Sequence, residues 1–280
     1  MSSIDASHLR TLSKIVVVGA TGRLGKCIRP YWKDLPVLWQ SRRVEYGFET
    51  VDVLNDPKGM RQLINGADAV LCLAGETYKP NANMALNVDL ARAVLDAARD
   101  TAAGRVFLAS SAAVYGAANG LLTEDGPAIP QNDYGRAKLD MEHMAQAHLH
   151  PNTALRISNI AGADAILAGW TPEMALDQLE DGRAPRRSYI GLETLARVLM
   201  GLMGQSDLPK RLNVATPGPI GMDSLLDAAG LAYTYRAPAT GVIGCVNLCT
   251  KRLQNHVKLM PEDSAPETMV AQWRRSQDIQ

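Results

Sequence analysis

The 280-residue sequence predicts an α/β chain: a doubly wound parallel sheet with a small C-terminal lobe. Three observations predict it. Short apolar runs with little alternation recur through the first 160 residues, as strands covered on both faces require. Helical stripes lie between those runs, at the spacing of right-handed crossover units. The first run ends in Gly19, Gly22 and Gly25, three apart.

The elements follow in order. "KIVVVG" reads as a buried strand, with helical sequence beginning near Gly22. Pro30 falls inside that first helix, where it should kink or end it. "PVLWQS", "FETVDV", "DAVLCLAG", "RVFLASS" and "TALRISNI" read as the next five strands. The clearest helix is "NMALNVDLARAVLDAARDT", with Leu86, Leu90, Val94 and Ala97 or Ala98 on one stripe. "DYGRAKLDMEHMAQAHL" is another. After Gly162 the rhythm weakens. "TPEMALDQLEDG", "LETLARVLMGLM" and "GMDSLLDAAG" read as helices and "RLNVATP" as a strand. Residues 1–162 are read as a dinucleotide-binding domain to which 187–216 return. Residues 163–186 and 217–280 form the smaller lobe, packed over the carboxyl ends of the strands.

Composition narrows the function. Lys plus Arg equals Asp plus Glu at 29 each, which argues against a general nucleic-acid partner. No apolar run approaches the roughly 20 residues that span a bilayer, so no membrane partner is expected. "MSSIDASHLRTLS" has no apolar signal core, and the expected location is cytoplasmic. Cys27, Cys72, Cys245 and Cys249 form no C-x-x-C pair, and the five histidines show no ligand spacing. No metal is expected.

Glycine after a buried strand has a physical use. A tight strand-to-helix turn needs positive φ, which Gly19 adopts cheaply. Gly22 lets backbone approach a pyrophosphate, and Gly25 lets the helix pack close to the strand. The helix start then offers free N–H groups to the anion. Thr21, Arg23 and Leu24 belong to the same turn, "GATGRLG". This is the Rossmann arrangement. The alternative phosphate loop G-x-x-x-x-G-K-[ST] fails, because five residues separate Gly19 from Gly25 and Cys27 replaces Ser/Thr. The second strand ends "LWQSRR" without the carboxylate that usually binds the ribose 2′-hydroxyl. Ser41, Arg42 and Arg43 stand there instead. An arginine pairs with a 2′-phosphate, so NADP is favoured over NAD.

Reacting groups come next. Tyr134 and Lys138 are four apart on one helix face. A neighbouring ammonium and a cationic nicotinamide would lower the phenol toward working pH, making it an acid/base. Ser110 and Ser111 end the fifth strand, at the edge where such sheets bind ligands. Ser111 could hydrogen-bond the reacting oxygen.

These motifs resemble the extended short-chain dehydrogenase/reductase family, the NAD-dependent epimerases and dehydratases. The resemblance rests on the glycine turn, "VDVLND", "VLCLAG", Asn87 in its helix, "SSAAVYG", "YGRAK" and "LRISNIAG". It implies a catalytic set of Ser111, Tyr134 and Lys138, with Lys138 also holding the ribose hydroxyls. It implies Asp52 and Val53 at the adenine, Leu73, Ala74 and Gly75 near the phosphates, and Asn87 in support. Asn159 and Arg187 are implied at the substrate, Arg187 against the diphosphate of a nucleotide sugar. A homodimer through residues 81–99 and 134–149 is implied, with Ala82, Ala85, Ala91, Ala93, Ala137 and Ala145 permitting close approach. Some positions depart from the family. Ala112 and Ala113 replace the Asp-Glu of dehydratases, which argues against dehydration. The expected activity is hydride transfer between NAD(P) and a secondary alcohol or ketone of a small-molecule substrate. The alternatives are a nucleotide-sugar epimerase that keeps its NAD, and a non-catalytic NADP-binding sensor.

Overall fold

A computed structural model describes residues 12–77, 79–118 and 120–278. Residues 1–11, most of the N-terminal stretch read above, lie outside the described residues. In chain order the first strands are β1 (Ile15–Val18), β2 (Val37–Ser41), β3 (Glu49–Thr50), β4 (Ala69–Cys72), β5 (Arg105–Ser111), β6 (Leu121–Leu122) and β7 (Asn152–Ile157). The later ones are β8 (Asn159–Ala161), β9 (Ala175–Asp177), β10 (Arg186–Gly191), β11 (Arg211–Val214), β12 (Pro219–Gly221), β13 (Thr234–Arg236) and β14 (Cys245–Leu248). The helices are α1 (Arg23–Ile28), α2 (Pro57–Ile64), α3 (Leu86–Arg99), α4 (Asp133–Ala147), α5 (Leu192–Met203), α6 (Met222–Ala229), α7 (Lys251–Gln254) and α8 (Pro266–Asp278).

The large sheet has seven strands in the order β11-β7-β5-β4-β1-β2-β3, every pairing parallel. All four β1 residues are buried, because helices cover both faces. Ile15, Val17, Phe107 and Leu155 pack with Leu195, Leu199 and Leu202 of α5 on one side. Val16, Val18, Val70 and Val106 pack with Met60, Val94, Leu95 and Met141 on the other. Each such side chain contributes roughly 1.5–3 kcal/mol on burial. The sheet order reverses between β1 and β4, and that reversal opens a crevice at the strands' carboxyl ends.

The second sheet runs β12-β10-β14-β6, with β8 also on β10. The chain's return to the large sheet runs through α5 and β11, while β10 belongs to the second sheet. A separate core of Ile166, Leu167, Leu176, Tyr189, Leu225 and Met269 holds the lobe. α3 and α4 lie side by side, and Ala91, Ala137 and Ala145 are buried within this chain.

Two sequence expectations change. α1 stops at Ile28, and Pro30 sits in the first turn of a 3₁₀ segment, Arg29–Trp32. A first turn needs no donor from Pro30, so the break is clean. "TPEMALDQLEDG" is not a helix. Its centre is β9, paired in parallel with β13. Leu176 is buried between half-buried Ala175 and Asp177, a period of two. Arg236 Nε donates to Asp177 Oδ1 at 2.9 Å, and Gly182 (φ +80°) turns the chain.

Candidate active site

The glycine turn is built from two positions and opened by a third. Gly19 has φ +75°, and a β-carbon there would lie 2.5 Å from Ala74 N. Its N–H donates to Gln40 Oε1 at 2.8 Å. A β-carbon on Gly25 would lie 2.1 Å from Ala20 O, so α1 reaches the turn only with glycine there. Gly22, before α1, would meet only Gly19 O, at 3.2 Å. Its outer side faces the crevice.

A cavity of about 410 Å³ runs from this turn to α4 and the start of the lobe. It brings together Gly19, Gly22, Arg23, Leu24, Gly25, Leu73, Gly75, Ser111, Tyr134, Lys138 and Asn159. Thr21, Ser41, Arg42, Asp52, Val53, Ala74, Asn87 and Arg187 do not line it. Ala74 packs beneath Gly19, and Asn87 stands behind Gly75.

α4 is started by Asn132, whose Oδ1 accepts from Gly135 N at 2.8 Å. Tyr134 therefore sits in the first turn, with its phenol within interacting reach of Ser111. Ser111 Oγ also accepts from Ala113 N at 3.2 Å, which fixes the serine at the end of β5. One turn on, Lys138 is 5 % exposed and its Nζ donates to Ala109 O at 2.8 Å. Nζ lies 5.8 Å from the centre of the Tyr134 ring. Burial lowers the Lys138 amine to about 8. Burial also pushes the Tyr134 phenol up, with the Ser111 hydrogen bond and the Arg23 charge pulling partly back. The sequence expectation joined the lysine to a bound cationic nicotinamide, and without that ring burial sets the direction. In the protein alone desolvation dominates, and Arg23, whose Nη1 donates to Ala163 O at 3.2 Å, draws the phenol partly back.

These residues fit a dinucleotide. An ammonium has three donors, and Lys138 gives one to Ala109 O. A β-carbon on Gly75 would lie 2.5 Å from Asn87 Oδ1 and 3.3 Å from Lys138 Nζ, so two polar groups close on bare backbone. Asn87 Oδ1 is buried and unpaired among the described residues, while its Nδ2 donates to Glu76 O and Met84 O. Around β2 the polar groups are engaged or exposed. Ser41 is buried and its Oγ accepts from Arg43 N at 3.1 Å. Asp52 accepts from Asn55 Nδ2, Asn55 N and Leu54 N, and the Asn55 side-chain bond, then its backbone bond, hold the carboxyl below the usual range, helped by Arg42. Val53 is core. Arg187 is half-buried on β10, with Nη1 on Arg186 O.

Sequence reading missed Gln40, the cap of the Gly19 N–H, and the cavity residues Ser158 and Asp164. Ser158 lies inside the quoted "LRISNIAG" and Asp164 two residues beyond it, so their signal was proximity to that motif. Gln40 had none. A larger apolar cavity of about 600 Å³ lies between Trp32 and α5 and holds none of the candidate reacting residues. No His, Cys, Asp or Glu group among the described residues could hold a metal. No helix among them is long and apolar enough to cross a membrane.

The chain is 37% identical over 112 residues to UDP-glucose 4-epimerase of Azospirillum brasilense, covering 35% of this chain and 31% of that protein. The matched stretch thus spans about a third of that relative's length. Among solved structures, the NAD-dependent NDP-hexosamine 5,6-dehydratase TunA superposes with a TM-score of 0.78 at 17% identity, covering 96% of this chain and 98% of that one. WbmG of Bordetella bronchiseptica, solved with NAD and UDP, gives 0.75 at 16% identity, covering 95% and 96%. Residues 15–191 match the NAD dependent epimerase/dehydratase family, and the chain belongs to it.

Proposed function

We propose that the protein is a nicotinamide-dependent enzyme that moves a hydride at a secondary alcohol or ketone of a nucleotide sugar, and that it works as an epimerase. The observation that carries this is the convergence of Ser111, Tyr134 and Lys138 on the cavity that the glycine turn opens. A non-catalytic sensor has no use for that set. A bound nicotinamide dinucleotide supplies the hydride acceptor and donor. The turn at Gly19, Gly22 and Gly25, with Arg23 and Leu24, would hold its pyrophosphate, and Lys138 its ribose.

The protein's own groups then have defined tasks. Ser111 hydrogen-bonds the reacting oxygen and aligns it with the Tyr134 phenol. Tyr134 takes the hydroxyl proton as the C–H bond breaks and returns it when the carbonyl is reduced. Burial keeps the free phenol protonated, so its basic form depends on positive charge arriving with the cofactor. Lys138, with its amine lowered to about 8, keeps most of its charge near pH 7 and offers its remaining donors to the ribose hydroxyls. Ala112 and Ala113 offer no acid pair, which argues against dehydration.

Arg42, just past the end of β2 where the sequence reading puts the ribose, supports NADP, while the similar structure solved with NAD supports NAD. We also place a homodimer on α3 and α4 and the protein in the cytoplasm. Exposed Ala85 remains available for such pairing, but Ala91, Ala137 and Ala145 do not. The test is incubation with NAD and UDP-glucose or UDP-galactose, reading products by chromatography. Interconversion without reduced cofactor supports the epimerase; steady cofactor reduction makes it a dehydrogenase. Neither change, with any nucleotide sugar and either cofactor, overturns the proposal.

A further inference from the structure

The lobe wall of the cavity, where Arg23 of the glycine turn reaches Ala163 O, contains polar groups that no step above uses. Asp164 lines it, two residues beyond Gly162. Its Oδ1 accepts from Leu167 N at 3.1 Å, which fixes the carboxyl's orientation. Its Oδ2 is buried and has no hydrogen-bond partner among the described residues. Behind it stands Tyr189, wholly buried in the lobe core, and its Oη is also unpartnered. Oη lies within interacting reach of Asp164 and of Asn159, yet no well-formed hydrogen bond closes between them. Asn159 lines the same cavity, on β8, opposite Tyr189 in register.

Leaving a buried acceptor unmade costs more than the bond itself is worth. One such atom on a cavity wall, backed by a second orphan, is what a site looks like before its ligand arrives. The chemistry of the two atoms restricts that ligand. A carboxylate oxygen only accepts, and a phenol both donates and accepts. A hydroxyl or amide N–H satisfies Asp164. Burial raises the pKa of the Asp164 carboxyl, and a ligand carboxylate beside it cannot donate and meets like charge wherever Asp164 is ionised.

We propose that Asp164, with Tyr189 and Asn159, is a specificity determinant: it receives a neutral hydrogen-bond donor of the substrate and turns away substrates carrying a carboxylate there. This rests on the nucleotide-sugar reading above and names the sugar class, neutral hexoses over hexuronates. It is a selecting residue, and the reacting atoms stay with Tyr134.

The test compares kcat and KM for UDP-glucose and UDP-glucuronate in the wild type, Asp164→Asn, Asp164→Ala and Tyr189→Phe. Wild type should prefer UDP-glucose. Asp164→Ala should raise its KM roughly tenfold, as for one hydrogen bond to a charged group, with kcat within about twofold. Asp164→Asn keeps the shape and removes the charge. It should narrow the preference over UDP-glucuronate about tenfold, which a merely structural residue would not do. Tyr189→Phe should raise KM less. Melting temperature and NAD affinity, measured alongside, should stay near wild type for Asp164→Asn and Tyr189→Phe. If the wild type turns over UDP-glucose and the Asp164→Asn ratio is unchanged, this inference fails and the proposed function stands. If Asp164→Asn lowers only the melting temperature, the inference fails in the same way. If the wild type turns over no nucleotide sugar, the proposed function fails and takes this inference with it.

Discussion

Two walls of one cavity treat their buried polar groups in opposite ways. Beneath the site, where β5, β7 and α4 meet, each buried polar side chain has a partner. Arg156 Nη2 donates to Glu142 Oε2 at 2.7 Å, and its Nε to Oε1 at 3.0 Å. Ser110 Oγ donates to the same carboxylate at 2.5 Å. Tyr115 Oη donates to Asn213 Oδ1 at 2.7 Å, and Asn213 N donates to Glu124 Oε1 at 3.0 Å. On the lobe wall, Asp164 Oδ2 and Tyr189 Oη face each other but close no well-formed hydrogen bond among the described residues. A closed network holds one geometry whether or not ligand is present. Open valences hold none until ligand supplies the partner. The difference separates groups that position chemistry from groups that choose what undergoes it.

The largest effect should come from the group standing between the two walls. Tyr134→Phe removes the acid/base and keeps the ring. Turnover should fall about 10³-fold, within the usual span for such catalysis, while the melting temperature hardly moves. Retained turnover would transfer the proton to another group and dissolve the distinction drawn here.

Next in size is a break in the closed wall. Glu142→Leu leaves the Arg156 guanidinium buried and unpaired, at a cost of about 3–5 kcal/mol read from the urea midpoint. Adding Arg156→Met should restore most of it, since the pair's own attraction is largely offset by desolvation. A loss under about 1 kcal/mol for the single variant would mean that water reaches the network.

The closed wall and the open one were unequally legible. β1, β4, β5 and β7 could be read because burial on both faces writes a run of apolar residues that no other element needs. The glycine turn could be read because positive φ at Gly19 and the Gly25–Ala20 approach exclude side chains. Tyr134 and Lys138 share a helix face by arithmetic alone. β9 was misread as helix because a three-residue strand carries too little pattern, and its partner β13 is far along the chain. Asp164 stayed hidden because an orphan atom is a property of three dimensions; its sequence neighbours say only that a strand has ended. The phenol's raised pKa was missed for the same reason, since burial is not written beside Lys138.

Lys138 gives a subtler contrast, in pH. Its amine titrates at about 8 in the folded chain against 10.5 unfolded. Between those values the unfolded chain holds the proton and the native one does not. The unfolded state binds more protons there, so stability rises with pH across the window. Below pH 8 both states are charged and the burial penalty is constant. Lys138→Met should remove this rise, seen as a flatter difference in urea midpoint from pH 7.5 to 10. A parallel pair of curves would mean that the amine keeps its proton when buried.

The smallest effect belongs to a region that is neither closed nor orphaned. Arg42 is exposed, and its charge already acts on Asp52. Asp52 in turn spends its oxygens on Leu54 N, Asn55 N and Asn55 Nδ2. A 2′-phosphate arriving there would pair with an arginine screened by water and partly shared with Asp52. Exposed pairs contribute about 0–1 kcal/mol, so Arg42→Ala should weaken NADP by at most about fivefold while NAD is unchanged. Fluorescence titration with the two reduced cofactors measures the ratio directly. A larger loss would show that the cofactor excludes water from Arg42 and makes a third wall of the site. An unchanged ratio would leave the guanidinium as solvated surface, with cofactor choice decided elsewhere along β2.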